Sequence, residues 1–329
     1  MGHQIYCTAD SHLANHREFS TLLADGTNSR LKVGCDVLKY IIDRAANQVL
    51  VIAGDLFHDR ESIDISVLKA ASEVIEYAAS KCAYTYLLAG NHDQYLAHGN
   101  IHSLQAFRNF RNVSVIDQPC YVSEIDSVMM PYMKDYDAWR REWAKVPIRD
   151  ITCTAFLHAD IIGAEMNGGF MASRGVDLAT LQSAHIPTII SGHYHKPQTL
   201  APGIHYVGSP YQLDRAEAGQ QKRYMVCDAD RCESFPITGF PEFTKVRTIE
   251  AARKASDDGN FVDISCSLAE AEKLVRLGKP SNVNMVLIRA NADVLITHVP
   301  LGINEAVCED LRLRGREDLI EKALSRLVI

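Results

Sequence analysis

Five short apolar runs, each closed by carboxylate, amide or imidazole side chains, restrict this chain more than any other feature. The run Val49-Leu50-Val51-Ile52 is too short and too β-branched for a helix and reads as a buried strand. Gly54 lets the backbone turn sharply off the strand end. Asp55 then stands at the carboxyl edge of a sheet, facing the crevice where open α/β sheets bind ligands. Four further strands end comparably, in Asp10-Ser11-His12, Gly90-Asn91-His92-Asp93, His158 and Gly192-His193-Tyr194-His195.

The chain between these points alternates in the manner of a largely parallel sheet. A strand over 4–9 precedes a helix at 30–46, whose Leu31, Val37, Leu38, Ile41, Ile42 and Ala45 lie on one side. The strand at 49–53, a helix at 63–80 and a strand at 83–88 follow, and this β-α-β-α-β order implies right-handed crossovers. Short strands fill 113–131, and Trp139 and Trp143 mark the core side of a helix at 135–145. Strands at 151–157 and 187–191 run into the last two clusters. Residues 204–208, 223–228 and 232–237 read as antiparallel strands joined by turns. The segment Pro236 to Pro241, with Gly239 inside it, is the candidate linker. We therefore expect a first domain over 1–238, a small α/β unit over 239–300, and two charged helices within 301–329.

Composition narrows the class without deciding it. No apolar run approaches the length needed to span a membrane, and a strand beginning near Gln4 leaves no room for a signal peptide. Nine scattered cysteines without a C-x-x-C predict free thiols in a reducing cytosol rather than a disulfide framework or zinc knuckle. The net charge of −7 argues against a chain that grips nucleic acid alone over a long footprint. That deficit lies wholly in residues 1–243, where metal-binding carboxylates would account for part of it.

Asp10, His12, Asp55, Asn91, His158, His193 and His195 together suit manganese, iron or zinc better than calcium or a thiolate-bound metal. Seven ligands are too many for one tetrahedral ion but natural for two ions that share a carboxylate. Such a pair activates a water and clamps the oxygens of an in-line phosphoryl displacement. His92, beside Asn91, is then placed to stabilise the transition state or to protonate the leaving oxygen. Asp93 joins the catalytic candidates.

The series Asp10-x-His12, Gly54-Asp55, Gly90-Asn91-His92-Asp93, His158 and Gly192-His193-x-His195 resembles the calcineurin-like metallophosphoesterase superfamily. That resemblance covers residues 4–228. It implies a two-sheet sandwich flanked by helices, with one ion on Asp10, His12, Asp55 and His195. The other ion would take Asp55, Asn91, His158 and His193, with Asp55 bridging.

Within the superfamily, Gly-Asp-Leu-Phe-His, ending at His58, resembles the SbcD-type DNA double-strand-break repair nucleases, whose extra histidine lies beside the leaving group. The segment Gly208-Ser209-Pro210 is similar to one in the same nucleases and their phage counterparts, and the unit beyond residue 240 resembles their DNA-capping domain. The resemblance implies an exo- or endonuclease with two divalent ions, manganese foremost. It further implies a homodimer, an SbcC-type ATPase partner and the cytoplasm of a bacterial or phage-infected cell. The alternative is a stand-alone phosphodiesterase or phosphatase for nucleotides or other small phosphoesters. A non-catalytic assembly subunit is the rival of another class. Arg60 is a candidate phosphate contact and Tyr194 a candidate base-stacking ring, although solvated charge and ordinary packing explain them equally. Arg108 and Arg111 stand in the same position as Arg60, whereas His98 and His102 flank the Asn91 loop as candidates to touch the site.

Overall fold

The computed structural model describes residues 4–95, 101–145, 153–228 and 231–287. The two large sheets owe their form to runs buried on both faces. The first half contains β1 (Ile5–Thr8), α1 (Ser29–Arg44), β2 (Val49–Ile52), α2 (Ile65–Lys81), β3 (Tyr84–Leu88) and β4 (Val113–Ile116). After these come β5 (Cys120–Val122), β6 (Ser127–Met130), α3 (Tyr136–Trp143), β7 (Thr154–His158), α4 (Leu178–Gln182) and β8 (Thr188–Gly192). The strands β9 (Gln198–Ala201), β10 (Ile204–Tyr206), β11 (Arg223–Cys227) and β12 (Cys232–Pro236) complete the two sheets.

One sheet has the order β12-β11-β1-β2-β3-β4, the other β5-β6-β7-β8-β10-β9. Strands β1 to β4 are mutually parallel, as are β6, β7, β8 and β10. The expected two-sheet α/β sandwich is therefore what the chain forms. Alternate side chains of each strand face opposite layers. Val49 and Val51 point inward to meet Met129, Phe156 and Ile190 of the second sheet, while Leu50 and Ile52 point outward to α1 and α2. Trp139, Trp143 and Leu181 cover the outer face of the second sheet. Helix α1 starts where Asn28 accepts hydrogen bonds from the amides of Arg30 and Leu31, and α3 where Asp135 does the same for Asp137 and Ala138.

Three readings of the sequence change. Strand β10 pairs parallel to β8, whereas β11 and β12 belong to the other sheet, so 204–237 is not one antiparallel meander. The short elements α4 and β9 lack enough periodic residues to announce themselves. Cys227 and Cys232 stand opposite each other in the β11–β12 register and form a disulfide, so these two are not free thiols. Cys7, Cys35, Cys82, Cys120, Cys153 and Cys266 are free.

The chain divides between Phe243 and Thr244. Pro236 ends β12, and Ile237 is buried against the α1 and α2 layer, so the proline-rich segment is anchored to the first unit rather than free. Apart from Phe243, which opens β13 (Phe243–Val246), the second unit holds that strand, α5 (Ile249–Asp257), β14 (Phe261–Cys266), α6 (Leu268–Arg276) and β15 (Val283–Leu287), the strands forming a sheet ordered β13-β14-β15. Its core gathers Ala252, Val262, Ile264, Cys266, Ala271, Leu274 and Val283. The helices expected within 301–329 and His98 lie outside the described residues. Among the described residues no helix is long and apolar enough to cross a membrane.

Phe156 is fully buried between the sheets. Phe156→Ala should cost about 3–5 kcal/mol of unfolding free energy in urea titrations. A loss below about 1 kcal/mol would contradict the packing described.

Candidate metal centre

The carboxyl ends of the parallel strands are level. Thr8 pairs with Ile52 and Ile52 with Leu87 in one sheet, and His158 pairs with Gly192 in the other. The loops leaving these ends therefore converge. Those after β1 and β2 continue the ladder, with Asp10 N bonded to Gly54 O at 3.0 Å and His12 N to Asp55 O at 3.1 Å.

Three side chains in these loops are held in left-handed backbone: Asp10 at φ 54°, His12 at φ 44° and Asp55 at φ 54°. Each such residue costs on the order of 1 kcal/mol, a strain that gathers at functional sites. Two glycines make the convergence possible. A Cβ on Gly54 (φ 96°) would lie 2.1 Å from His158 Nδ1, and one on Gly90 would lie 2.2 Å from Asp55 Oδ1.

All seven predicted ligands lie in one buried cluster around Asp55. Asp55 Oδ2 is 3.6 Å from His12 Nε2 and 3.4 Å from His158 Nε2. On one side, His195 Nε2 is 3.0 Å from His12 Nε2, and Asp10 and His195 have ligand atoms within 4.8 Å of each other. On the other side, one terminus of the Asn91 amide lies 3.0 Å from His158 Nε2 and 2.7 Å from His193 Nδ1. The same terminus is 3.3 Å from Asp55 Oδ2.

The imidazoles are held from behind, which fixes what they offer in front. Nδ1 of His158 meets Ala53 O at 2.8 Å, Nε2 of His193 meets Asp160 Oδ1 at 2.9 Å, and Nδ1 of His195 meets Glu217 Oε1 at 2.7 Å. Nδ1 of His12 meets Nδ1 of His58 at 3.3 Å. A neutral imidazole that donates its one proton outward must present a lone pair inward. Four such lone pairs and two carboxylates around a buried centre are a donor set for cations, with outer partners of the kind that orient metal-ligating histidines. The Asn91 amide fits the same centre. With nitrogen inward it donates to His158, Asp55 and His193 while its oxygen takes Arg60 at 2.6 Å. With oxygen inward it completes a ring of lone pairs that only a cation brings together.

The electrostatics agree. Burial, against the pull of Asp55, holds His12 well below the ordinary histidine value. Burial also works against the Asp55 charge, but His158 and His12 outweigh it and hold that carboxyl well below the usual range. For His158 burial is again overcome, and Asp55 and Asp10 push it up to about 9. A field that binds a proton so firmly at this point favours any cation there.

His92 donates its backbone N–H to Asp55 Oδ1 at 2.7 Å, and its Nδ1 meets His58 O at 2.6 Å. Its ring stands edge-on to His12, and the exposed ring of His58 stacks against it at 5.5 Å. Asp93, a catalytic candidate from sequence, turns inward instead. Its Oδ2 accepts from the amides of Asp55 and Gly90, each at 2.9 Å, and its Oδ1 from Phe57 at 3.2 Å. It ties the β2 loop to the β3 loop and does not reach the open side. Burial and the nearby Asp55 charge push its pKa up to about 7.

Tyr194 packs on Tyr206 and bonds Asp160 at 3.0 Å, which gives the ring a local anchor. His102 and Arg108 both engage Asp117.

Sequence reading missed Asp160, Glu217 and Lys222. Asp160 lies two residues past His158, a spacing that could have flagged it; nothing in the sequence ties Glu217 to His195.

These findings accord with known proteins. The family model described as calcineurin-like phosphoesterase matches residues 3–197. A protein of Invertebrate iridescent virus 3, named as a phosphoesterase, 078R, is 27% identical over 182 residues, covering 52% of this chain and 50% of the viral one. The chain thus spans about half the length of that relative. A phosphopantetheinyl hydrolase structure from Mycobacterium tuberculosis aligns at TM-score 0.38 and 12% identity, over 63% of this chain and 90% of that one. Another solved chain aligns at TM-score 0.42 and 10% identity, over 72% of this chain and 100% of its own length. Neither likeness is close enough to bear on function.

Equilibrium titration should find two tightly bound divalent ions per chain in the native protein and one in Asn91→Ala; two retained ions would remove Asn91 from the ligand set. Gly90→Ala should disorder the Asp55 carboxylate and abolish binding of both ions, and undiminished binding would show that the close approach at Gly90 is dispensable.

Proposed function

The chain belongs to the calcineurin-like phosphoesterase family, and within it we propose that the phosphoester hydrolysed is the DNA backbone, by a nuclease subunit of the SbcD type. The family's activity is metal-assisted hydrolysis of a phosphoester with two divalent ions, and the clustered ligands around Asp55 suit that chemistry. Bound there, the pair of ions would polarise a phosphoryl oxygen and make a water acidic enough to act near neutral pH. The choice of manganese over iron or zinc is part of the proposal.

The observation that carries the nuclease reading is the place of His58. It stands at the rim of the cluster, against His12 and His92, with its ring exposed. From there it can orient a phosphate or leaving oxygen arriving on the His12 side. His92 has Nδ1 committed to the His58 carbonyl, which leaves Nε2 to hold the proton that the departing oxygen takes. Burial lowers the His92 pKa, and an anionic phosphate beside it would raise it again, favouring the charged donor when substrate is present. Arg60, next to Asn91, is placed to meet a phosphate once the amide turns its oxygen inward.

The remaining expectations are proposals of the same reading. A cap from residue 239 onward would close on DNA, α2 and the segment 97–110 would form a dimer face, and an SbcC-type ATPase would supply much of the DNA grip. The acidic net charge of −7 is compatible with that division of labour. The cytoplasm of a bacterial or phage-infected cell is the compartment proposed.

A second reading has an observation of its own. A cavity of about 300 Å³ adjoins the His12 and His195 side, lined by His16, Arg17, Arg30, His58 and Asp214. That size is at the lower end for small-ligand sites, which favours nucleotides or other small phosphoesters.

Purified protein with Mn, offered linear duplex DNA, single strands and a chromogenic phosphodiester, should cleave DNA. His92→Ala should slow cleavage by about 10²–10⁴-fold while two ions stay bound. Turnover of the chromogenic ester alone, with DNA left intact, would replace the nuclease by the small-phosphoester enzyme.

A further inference from the structure

We infer that Glu217 is a positioning residue for the ion-binding face of His195, and that Lys222 is present to neutralise it. The inference rests on the two-ion reading and deepens it. Glu217 has no exposed surface, although it lies in a short turn between β10 and β11. Its Oε1 accepts from His195 Nδ1 at 2.7 Å, and its Oε2 takes Leu213 N at 2.9 Å, Ser209 Oγ at 3.1 Å and Lys222 Nζ at 2.8 Å.

Division of labour within this carboxylate is the point. One oxygen takes the ring of a candidate metal ligand. The other takes donors that fix the carboxylate itself. Lys222 is nearly fully buried and also donates to His195 O at 2.9 Å and Ser209 Oγ at 2.8 Å, so it clamps the His195 backbone as well as the acid behind its ring. A buried carboxylate without a countercharge would be costly, and removing one partner of such a pair is strongly destabilising. Lys222 Nζ, 2.8 Å from Glu217 Oε2, supplies that countercharge.

The consequence is a fixed tautomer. With its Nδ1 proton given to Glu217, His195 presents Nε2 as a lone pair toward His12 and Asp10. This also gives Ser209 of the Gly208-Ser209-Pro210 segment a physical task, since its hydroxyl lies between Glu217 and Lys222.

Contact and charge are separated by two variants of the full chain. Glu217→Asp keeps the charge facing Lys222 but withdraws the acceptor from His195 by one methylene. Glu217→Gln keeps an oxygen for His195 but leaves Lys222 without its countercharge. Mn titration followed by calorimetry, with thermal melting of the ion-free protein, reads both effects. Glu217→Asp should weaken one of the two Mn sites by about 10–100-fold with the other unchanged. Glu217→Gln should melt at lower temperature yet keep both affinities within about 3-fold of native.

Equal losses in the two variants, or native affinity in Glu217→Asp, would overturn the positioning role. A native protein that binds no Mn would instead overturn the two-ion reading on which it stands.

Discussion

Mutual repulsion among buried lone pairs is the constraint to which the rest of this structure answers. Asp10, Asp55 and four imidazoles direct electron-rich atoms at one small volume, with His193 and His195 only partly buried. Nothing in the apolar core favours that arrangement, and the left-handed backbone at Asp10, His12 and Asp55 adds to its cost. It persists because the loops are fixed by interactions elsewhere. The level ends of parallel strands bring them together, Asp93 bonds three amides across two of them, and Glu217, Asp160, Ala53 and His58 lock the rings from behind. A bound cation pair would convert the repulsion into attraction, so that function and stability would meet at the same atoms.

The sandwich serves this purpose by leaving both faces of its central strands buried. Val51 fills the space between sheets while Ile52 packs outward, and the residues that follow are free to leave the sheet as ligand loops. Gly54 and Gly90 then provide the clearance that His158 and Asp55 need. The candidate ligand histidines of the second sheet arrive by a different route. His158 is itself the last residue of its strand, and His193 takes a φ of 103° just beyond the next.

Much of this could be read from residue order, because the signal is local. Apolar runs such as Val49–Ile52, followed by Ala-Gly-Asp, state both the strand and its cargo. What could not be read was non-local. Lys222 and Glu217 look like surface charges in an ordinary turn, and only the return of the chain behind His195 makes them a buried pair. Asp93 looked catalytic by adjacency to His92, yet successive residues in a tight turn point in opposite senses, and it serves the backbone. The Cys227–Cys232 disulfide was hidden for a similar reason: a spacing of five residues carries meaning only once β11 and β12 pair in register.

Anomalous scattering from crystals equilibrated with manganese puts the central claim to its most direct trial. Two peaks are expected, roughly 3.5–4 Å apart, with the Asp55 carboxylate between them, one near His12 and His195 and the other near Asn91, His158 and His193. A single peak, or two that do not share Asp55, would contradict the account.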